Sequence, residues 1–252
     1  MKILVVSDIH GNAAAFKAVL EKTRGDRERI LCLGDLVGYG PDPNECVELA
    51  GEVCDRILGG NHDLGASGQI PTDTFSPHAL KALKWTQKTL SPRNTAVLAR
   101  LPPLAEDSGL LLSHGSPENP VWDYIFSEAD ALRAFSLSSF SRCFFGHTHV
   151  PSVFILDDTG EAQNRSPREC SILYGERGLT VETGREGRRI LLNPGSVGFP
   201  RDAADAPSWD RLEHAVARYA LFDTESGLWC FQGVEYDMGD TAKRMKKFGL
   251  WR

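Results

Sequence analysis

Long apolar runs are missing from this sequence. No stretch approaches the roughly 20 consecutive apolar residues that a helix needs to cross a bilayer. The apolar run at residues 1–6 is too short for the core of a secretory signal peptide and is followed at once by Ser7 and Asp8. We therefore expect no membrane association and no export, which leaves the cytoplasm as the expected location.

Closely spaced cysteine pairs are also missing. The chain has six cysteines, none of them in a Cys-x-x-Cys pair, and most lie within apolar runs. Thiols in such runs are typically buried and free, so neither a disulfide framework nor a thiolate metal site is indicated. A reducing compartment agrees with the expected cytoplasmic location.

Positive charge is not in excess. The 28 Lys and Arg residues are outnumbered by 34 Asp and Glu residues, which gives a net charge of -6 at pH 7. A module held on nucleic acid mainly by its positive field has the opposite balance, so nucleic acid is not expected as a partner. Phosphate esters of small molecules are not excluded, because bound divalent cations reverse the local sign of the field.

The first half of the chain alternates short apolar strands with helical patterns. Residues 3–6, 30–33 and 57–58 are rich in Val, Ile and Leu, and the segments between them show the i, i+3, i+4 spacing of a buried helix face. This alternation is typical of βαβ units in a parallel sheet.

The second half is rich in strands. From residue 110 onward, short apolar runs are mostly separated by Gly, Asp and Pro turns, with one helical segment after a Ser127 cap. We expect these strands to form a second sheet packed on the first rather than a separate domain. The 252 residues, 41% of them hydrophobic, are therefore interpreted as a single domain spanning residues 1–252.

Two further helices can be predicted from their polar residues. Asp42, Pro43 and Glu45 predict a helix start, with Asp42 as the cap, Pro43 in the first helical position and Glu45 reaching back to the cap. Near the end of the sequence, four basic residues are expected to form the solvated face of a short helix whose apolar side packs on the same chain: Lys243, Arg244, Lys246 and Lys247.

Polar side chains able to hold a metal recur directly after the strand candidates. They are Asp8 and His10, Asp35, Asn61 and His62, His114, and His147 and His149. Ligands bind at the carboxyl edge of open α/β sheets, so we expect these side chains to meet in space. A buried cluster of imidazoles and carboxylates without a cation would leave charge and lone pairs uncompensated, at a cost of several kcal/mol per group. A pair of divalent cations resolves this conflict, and the nitrogen and oxygen donors suit Mn, Fe, Zn, Co or Ni.

Five segments in this order resemble the motifs of the calcineurin-like metallophosphoesterases: Asp8-Ile9-His10, Gly34-Asp35, Gly60-Asn61-His62-Asp63, Ser113-His114-Gly115 and Gly146-His147-Thr148-His149. The later segment at residues 193–198 resembles a strand-turn of the small bacterial and archaeal phosphodiesterase branch. The resemblance implies an α/β (α+β) fold of four layers, in which two mixed sheets pack face to face with helices outside.

The resemblance also implies individual roles. One cation would be held by three residues and a second by three others, with one carboxylate bridging them: Asp8, His10 and His149; Asn61, His114 and His147; and Asp35. Two such cations, with Mn favoured, share a water, lower its pKa and place a hydroxide in line with phosphorus. His62 would face the leaving group, to which its protonated ring supplies a proton.

One departure from the superfamily narrows the substrate. Protein phosphatases carry a second Asp and an Arg after the bridging carboxylate, whereas Asp35 is followed here by Leu36-Val37-Gly38-Tyr39-Gly40. A protein phosphatase is therefore disfavoured. What orients His62 stays open, because Asp63 is its neighbour only in sequence.

Two further residues are candidates for substrate binding. Tyr39 either lies over a nucleobase or aromatic leaving group or packs within a tight Gly-Tyr-Gly turn. Arg201 either contacts phosphate through its planar fork or forms a surface ion pair. Asn193 is expected to cap the turn that follows it.

The leading interpretation is a binuclear metal-dependent phosphodiesterase acting on a small phosphodiester or nucleotide-like ester. The alternatives are a phosphomonoesterase or dinucleoside-polyphosphate hydrolase, and a non-catalytic protein-interaction scaffold of the same fold. The scaffold is disfavoured because such proteins lose the histidine that is present here as His62. The sequence predicts neither the physiological substrate nor the oligomeric state.

Overall fold

The computed structural model describes residues 1–157, 170–201 and 215–250. These residues form twelve strands: β1 (Lys2–Val6), β2 (Arg29–Cys32), β3 (Arg56–Ile57), β4 (Leu104–Asp107), β5 (Leu110–Ser113), β6 (Arg142–Phe144), β7 (Ser152–Asp157), β8 (Cys170–Tyr174), β9 (Thr180–Glu182), β10 (Arg188–Asn193), β11 (Ala215–Asp223) and β12 (Leu228–Tyr236). They also form seven helices: α1 (Ala13–Lys22), α2 (Pro43–Val53), α3 (Asn61–Ala66), α4 (Pro77–Thr89), α5 (Pro92–Leu98), α6 (Glu128–Leu137) and α7 (Gly239–Phe248).

The strands are arranged in two mixed six-stranded sheets. The first has the order β3-β2-β1-β11-β12-β9, in which β3, β2 and β1 are parallel and the remaining pairs are antiparallel. The second has the order β4-β5-β6-β10-β7-β8, in which β5, β6 and β10 are parallel. Parallel strands of both sheets therefore end at the edges where the polar motifs lie.

The continuous apolar run of β1 reflects burial on both of its faces. Ile3 and Val5 lie in the core between the two sheets, whereas Leu4 and Val6 point into the core under the helices on the outer side. On the second sheet, α6 covers the outer face, which includes Cys143 of β6. Helices, two sheets and a further helix thus form four layers, and the expected fold class is confirmed.

The assignment of the second half to a second sheet is only partly right. Three strands from that half, β9, β11 and β12, complete the first sheet instead. β11 pairs antiparallel with β1, with Leu221 opposite Leu4. This pairing covers an edge of β1 whose backbone groups would otherwise be left unpaired. Apolar alternation marks a strand but does not name its partner.

Serine caps begin several helices. The side chains of Ser76 and Ser91 accept hydrogen bonds from the backbone N–H groups three residues later, and each is followed by a proline in the first helical position. Ser127 caps α6 as expected, and Asp130 closes a capping box by accepting from the Ser127 N–H at 3.1 Å.

The predicted capping box at α2 is wrong. The helix does begin at Pro43, but Asp42 makes no side-chain capping bond. Its carboxylate pairs instead with Arg244 of α7, and Glu45 pairs with Lys17 of α1. Charged partners brought close by the fold therefore replace the local capping bonds. Arg244 is accordingly not part of a purely solvated face.

The apolar side of α7 packs on the same chain. Met245 and Leu250 are buried in the core under the helices, and the Phe248 ring lies 5.1 Å from that of Trp85 on α4. Residues 251–252 lie outside the described part of the chain.

Among the described residues, no helix combines the length and the apolar content needed to cross a bilayer.

The ion pair between Arg29 of β2 and Asp107 of β4 links the two sheets and predicts a pH-dependent contribution to stability. Both guanidinium nitrogens bond the carboxylate, at 2.9 and 3.0 Å, and this contact lowers the pKa of Asp107. A depressed folded-state pKa contributes stability above the unfolded value near 3.9, and this stability is lost as the pH falls through the folded value. We expect Asp107→Asn to lower the free energy of unfolding by about 1 kcal/mol at pH 7.

Urea unfolding of the wild type and of Asp107→Asn between pH 7 and pH 3 measures this difference. Glu21→Gln, which removes an exposed pair with Arg24 inside α1, is the control and is expected to change stability by less than about 0.5 kcal/mol. A difference between wild type and Asp107→Asn that stays constant down to pH 3 would contradict the assignment.

Candidate metal centre

The candidate site lies where the carboxyl ends of parallel strands from both sheets meet. Asp8 and His10 follow β1, and Asp35 follows its parallel neighbour β2. His114 follows β5, and His147 follows the parallel neighbour β6. The backbone N–H of His147 donates to Asp8 Oδ2 over 3.1 Å and so joins the two edges. The structure thus brings together residues that are 139 positions apart in the sequence.

The backbone at the site is held in an unusual conformation. Six non-glycine residues there have left-handed φ angles between 51° and 66°: Asp8, His10, Asp35, Tyr39, His147 and His149. Each such residue costs about 1–3 kcal/mol and persists only where its surroundings fix it. Loop-to-loop bonds do so here; for example, the N–H of His10 donates to the carbonyl of Asp35 over 2.9 Å. Backbone strain is therefore concentrated on five residues whose side chains could bind a metal and on the neighbouring Tyr39.

Asn193 fixes the loop that carries His147 and His149. Its Oδ1 accepts from the N–H of Gly195 over 2.8 Å, which confirms the expected turn cap. Its Nδ2 also donates to the carbonyl of Gly146 and to the hydroxyl of Thr148, at 2.8 and 2.9 Å. The cap on one loop thereby positions a second loop that bears site histidines.

The two central carboxylates each have one oxygen that is bonded and one that is not. Asp8 Oδ2 accepts from the N–H of His147, and Asp35 Oδ1 accepts from the N–H of His62 over 2.9 Å. The other oxygens, Asp8 Oδ1 and Asp35 Oδ2, are buried without a hydrogen-bond partner. They lie 3.3 Å from His149 Nε2 and 3.5 Å from His114 Nε2, respectively. Each carboxylate is thus oriented to present one free oxygen to the imidazoles.

The imidazoles are oriented in the same way. His10, His114 and His149 each donate from Nδ1 to a backbone carbonyl, at 3.0, 2.9 and 2.6 Å. This fixes the tautomer and leaves the Nε2 lone pair turned inward, as in metal-binding histidines. The Nε2 atoms of His10 and His149 are only 3.0 Å apart. Two inward lone pairs at this distance repel each other unless a cation or a proton lies near both.

The atoms that could bind a metal form two overlapping groups, which we call the donor groups. Within each group all the ligand atoms lie within 4.8 Å of one another, and Asp35 belongs to both: Asp8, His10, Asp35 and His149; and Asp35, His114 and His147. Asn61 begins α3, and its Oδ1 is buried without a hydrogen-bond partner, as are His114 Nε2 and His147 Nε2. Unpartnered acceptors of nitrogen and oxygen type fit divalent cations. The residues present therefore match the requirements of a metal site.

Burial shifts the pKa values of these groups toward their neutral forms. It raises the pKa of Asp8 to about 7 and that of Asp35 well above its usual range, with Asp63 adding to the second shift. Burial also lowers the pKa values of three imidazoles well below their usual range: His10, His147 and His149. A divalent cation would reverse this tendency for the carboxylates and would bind the neutral imidazoles directly.

His62 is held by packing rather than by a carboxylate. Its ring lies 4.7 Å from that of Tyr39 and 5.2 Å from that of Phe75, and a side chain at Gly38 would overlap it. Asp63 directs its carboxylate to the backbone N–H groups of Gly60 and Val37, at 3.0 and 3.1 Å. Burial lowers the pKa of His62 to about 3, so the ring is neutral at pH 7.

Tyr39 and Arg201 lie next to the donor groups. The Tyr39 ring is 6% exposed and stacks on Phe199 at 4.4 Å and on His78 at 5.5 Å, so it offers little face to a nucleobase. Arg201 is exposed and reaches the hydroxyl of Tyr39 over 3.4 Å. Within the described residues, no carboxylate forms an ion pair with Arg201. Its charge also contributes to the lowered pKa of His62.

One part of the site was not found from the sequence. The loop between β5 and α6 carries Trp122, Tyr124 and Phe126. The Tyr124 ring stacks on the His147 ring at 3.9 Å, and the Phe126 ring stacks on that of Tyr124. The available signal was the run of aromatic residues at alternate positions shortly after His114.

Comparisons with known proteins agree with this geometry. A sequence model of the calcineurin-like phosphoesterase superfamily domain matches residues 1–213. An uncharacterized protein of Methanocaldococcus jannaschii is 34% identical over 253 residues, covering 97% of this chain and 92% of that protein. Phosphodiesterase YfcE of Escherichia coli K12 is 25% identical over 186 residues, covering 69% of this chain and 82% of that protein.

Solved structures share the fold. A metallophosphoesterase from Sphaerobacter thermophilus is 35% identical and superposes with a TM-score of 0.79, over 99% of this chain and 94% of that one. A hypothetical protein from Pyrococcus horikoshii OT3, 22% identical, superposes with a TM-score of 0.70 over 99% and 94% of the two chains and shows the fold alone. The architecture is the α/β metallophosphoesterase fold. The chain belongs to the calcineurin-like phosphoesterase superfamily.

The buried oxygen and nitrogen atoms that lack hydrogen-bond partners predict that divalent cations stabilise the folded protein. A cation that binds only the folded state raises the free energy of unfolding by about 4 kcal/mol at 1,000 times its dissociation constant. We expect saturating Mn²⁺ to raise the melting temperature of metal-free protein by several degrees, and Asp35→Asn to remove most of this rise, because Asp35 belongs to both donor groups. Differential scanning calorimetry with and without chelator measures the shift.

Asp42→Asn is the matched control, since Asp42 is also a buried aspartate but pairs with Arg244 outside the donor groups. This variant is expected to keep the full Mn²⁺-dependent rise. An Asp35→Asn variant whose melting temperature responds to Mn²⁺ as strongly as the wild type would show that the donors do not bind the cation.

Proposed function

We propose that this protein is a phosphodiesterase that hydrolyses small phosphodiesters or nucleotide-like esters with the aid of two divalent cations. The main support for the proposal is the position of Asp35, which belongs to both of the overlapping donor groups. A single carboxylate between two groups is the arrangement expected of a two-cation site. Catalysis of phosphoryl transfer requires mainly positioning and neutralisation of charge, which such a site supplies.

The proposed ligands follow the two donor groups. The first cation would be held by three residues, the second by three others, and both by the bridging carboxylate: Asp8, His10 and His149; Asn61, His114 and His147; and Asp35. When bound, such a pair activates water for attack on phosphorus and neutralises the phosphoryl oxygens. Manganese is the proposed native metal.

His62 is the proposed proton donor to the leaving group. In the free protein the ring is neutral at pH 7, because burial and nearby positive charge lower its pKa to about 3. A bound phosphate anion would oppose this shift, since a nearby negative charge favours the imidazolium form. We therefore propose that His62 takes up its proton together with the anionic substrate.

Arg201 and Tyr39 are proposed to bind the phosphate end of the substrate. Arg201 is exposed and reaches Tyr39, whose ring lies 4.8 Å from that of His10, and its planar guanidinium is suited to two phosphate oxygens. The Tyr39 hydroxyl, which meets Arg201, would keep this guanidinium in place. In this proposal Tyr39 acts through its hydroxyl, since its ring faces are already covered by Phe199 and His78.

The preference for diesters rests on similarity to Phosphodiesterase YfcE. A phosphomonoesterase or dinucleoside-polyphosphate hydrolase is the second candidate, because the donor groups suit any of these esters equally. A scaffold without catalysis is disfavoured, since His62 and the proposed ligands are all in place. The expected cytoplasmic location remains a proposal.

Parallel assays of an aryl diester and an aryl monoester test the reaction class. With Mn²⁺ present, we expect kcat/KM for bis(p-nitrophenyl) phosphate to exceed that for p-nitrophenyl phosphate by at least about tenfold, a difference in transition-state binding of about 1.4 kcal/mol. Chelated protein is the control and is expected to be inactive. Faster turnover of the monoester would reverse the preference for diesters.

Replacing His62 tests its role as a proton donor. We expect His62→Ala to lower kcat about 10²- to 10⁴-fold, which is the range typical for loss of a general acid. The variant should keep the metal content of the wild type. The loss should be larger for an alkyl leaving group than for p-nitrophenolate, which leaves without protonation. Lys84→Gln, which alters an exposed residue of α4 outside both donor groups, is the control and is expected to keep the wild-type kcat. Equal losses for both leaving groups would remove His62 from this role.

A further inference from the structure

Two exposed aromatic rings lie beside the donor groups and have no role in the proposed reaction so far. Tyr124 is 41% exposed and Phe126 is 48% exposed, and their rings stack with centroids 5.2 Å apart and an interplanar angle of 17°. The Tyr124 ring is also nearly parallel to that of His147, at 13° and 3.9 Å. A series of near-parallel rings therefore runs from a donor histidine to the solvent.

These rings are held in place by two separate anchors. Ile125, between them, is 1% exposed and fixes the segment in the core beneath α6. The N–H of Phe126 donates to Asp130 Oδ2 over 3.2 Å, within the capping box of α6. The charge of nearby Arg201 acts on the Tyr124 hydroxyl and opposes the rise of its pKa that burial causes. The two rings thus form a preformed surface, which we call the aromatic platform (Tyr124 and Phe126).

A preformed apolar surface that stays open to solvent indicates a binding site. Flat aromatic rings bind other flat rings by stacking, and they do so with little conformational entropy to lose. The Tyr124 ring stacks on His147, a proposed metal ligand, and lies near enough to Arg201, the proposed phosphate ligand, for its hydroxyl to feel that charge. A ligand that fits both surfaces carries a phosphate and a ring in one molecule.

The position of His62 indicates which side of the phosphate the ring is on. His62 lies against Tyr39 and Phe75, whereas the platform lies against His147. Among the described residues, no ring contact joins His62 to Tyr124 or Phe126, so the platform is assigned to the ester group that stays on the phosphate.

We propose that the exposed ring of Phe126, supported by the Tyr124 ring stacked against it, binds an aryl or nucleobase group attached through the retained ester oxygen of the substrate. This inference rests on the proposed phosphodiesterase function and names its substrate class. Esters with a ring on the retained side are then preferred over those with a small alkyl group there. Phe126 contributes its ring face, and Tyr124 contributes by stacking against that ring.

Two diesters with the same leaving group test the proposal. Thymidine 5′-(p-nitrophenyl phosphate) and methyl p-nitrophenyl phosphate both release p-nitrophenolate and differ only in the retained ester. With Mn²⁺-loaded full-length protein, we expect the ratio of their kcat/KM values to favour the thymidine ester, and Phe126→Ala to lower this ratio about tenfold, as loss of one stacking ring does for bases. Tyr124→Phe, which keeps the ring, should keep most of the ratio.

Tyr174→Ala is the matched control, because it removes an aromatic side chain that is 62% exposed on the edge strand β8. It should leave the ratio unchanged. A binding measurement adds a readout that does not depend on turnover: calorimetric titration with thymidine 5′-monophosphate should give a dissociation constant about tenfold higher for Phe126→Ala, with inorganic phosphate affected less than twofold.

The outcomes separate the two proposals. Hydrolysis of both esters with a ratio that Phe126→Ala does not change would overturn the platform and leave the phosphodiesterase intact. Hydrolysis of neither ester by the wild type would overturn the proposed function, while the titration still tests the platform. A Phe126→Ala loss that follows the leaving group rather than the retained ester would overturn the assignment of sides.

Discussion

Buried acceptor atoms without donors are the constraint on which this structure depends. Asp8 Oδ1 and Asp35 Oδ2 face imidazole nitrogens that have no proton to offer, because their Nδ1–H groups are used on backbone carbonyls. Such an arrangement is costly in a water-excluded pocket unless cations fill it. Every feature around the pocket, from the bonded carboxylate oxygens to the fixed tautomers, turns lone pairs toward the same place.

The fold supplies this pocket by bringing two sheet edges together. Parallel strands β1 and β2 end beside parallel strands β5 and β6, and the bond from His147 N–H to Asp8 joins them. The left-handed backbone at six site residues turns their side chains inward at an energetic cost that the surrounding loop bonds sustain. The buried run of β1, with both faces covered, holds Asp8 and His10 against an immobile core.

The sequence predicted the features that depend on local pattern or on strand ends. The positions of Asp8, Asp35 and His147 after apolar strands placed them at one edge, and the serine cap of α6 was correct. Features set by distant contacts were not predictable. The Asp42 carboxylate pairs with Arg244, which is 202 positions away in the sequence. Three strands of the second half complete the first sheet, where β11 pairs with the edge of β1 that would otherwise be unpaired. Tyr124 could not be assigned to the site from the sequence, because its place there depends on the stacking of its ring on that of His147.

We propose above all that this site binds two divalent cations through the shared carboxylate of Asp35. Anomalous diffraction from crystals soaked in Mn²⁺ tests it most directly, because the metal positions appear independently of any assay. The account predicts two peaks roughly 3.5–4 Å apart, one on each side of the Asp35 carboxylate. A map with no paired density at this carboxylate, or with manganese bound only elsewhere on the protein, would contradict it.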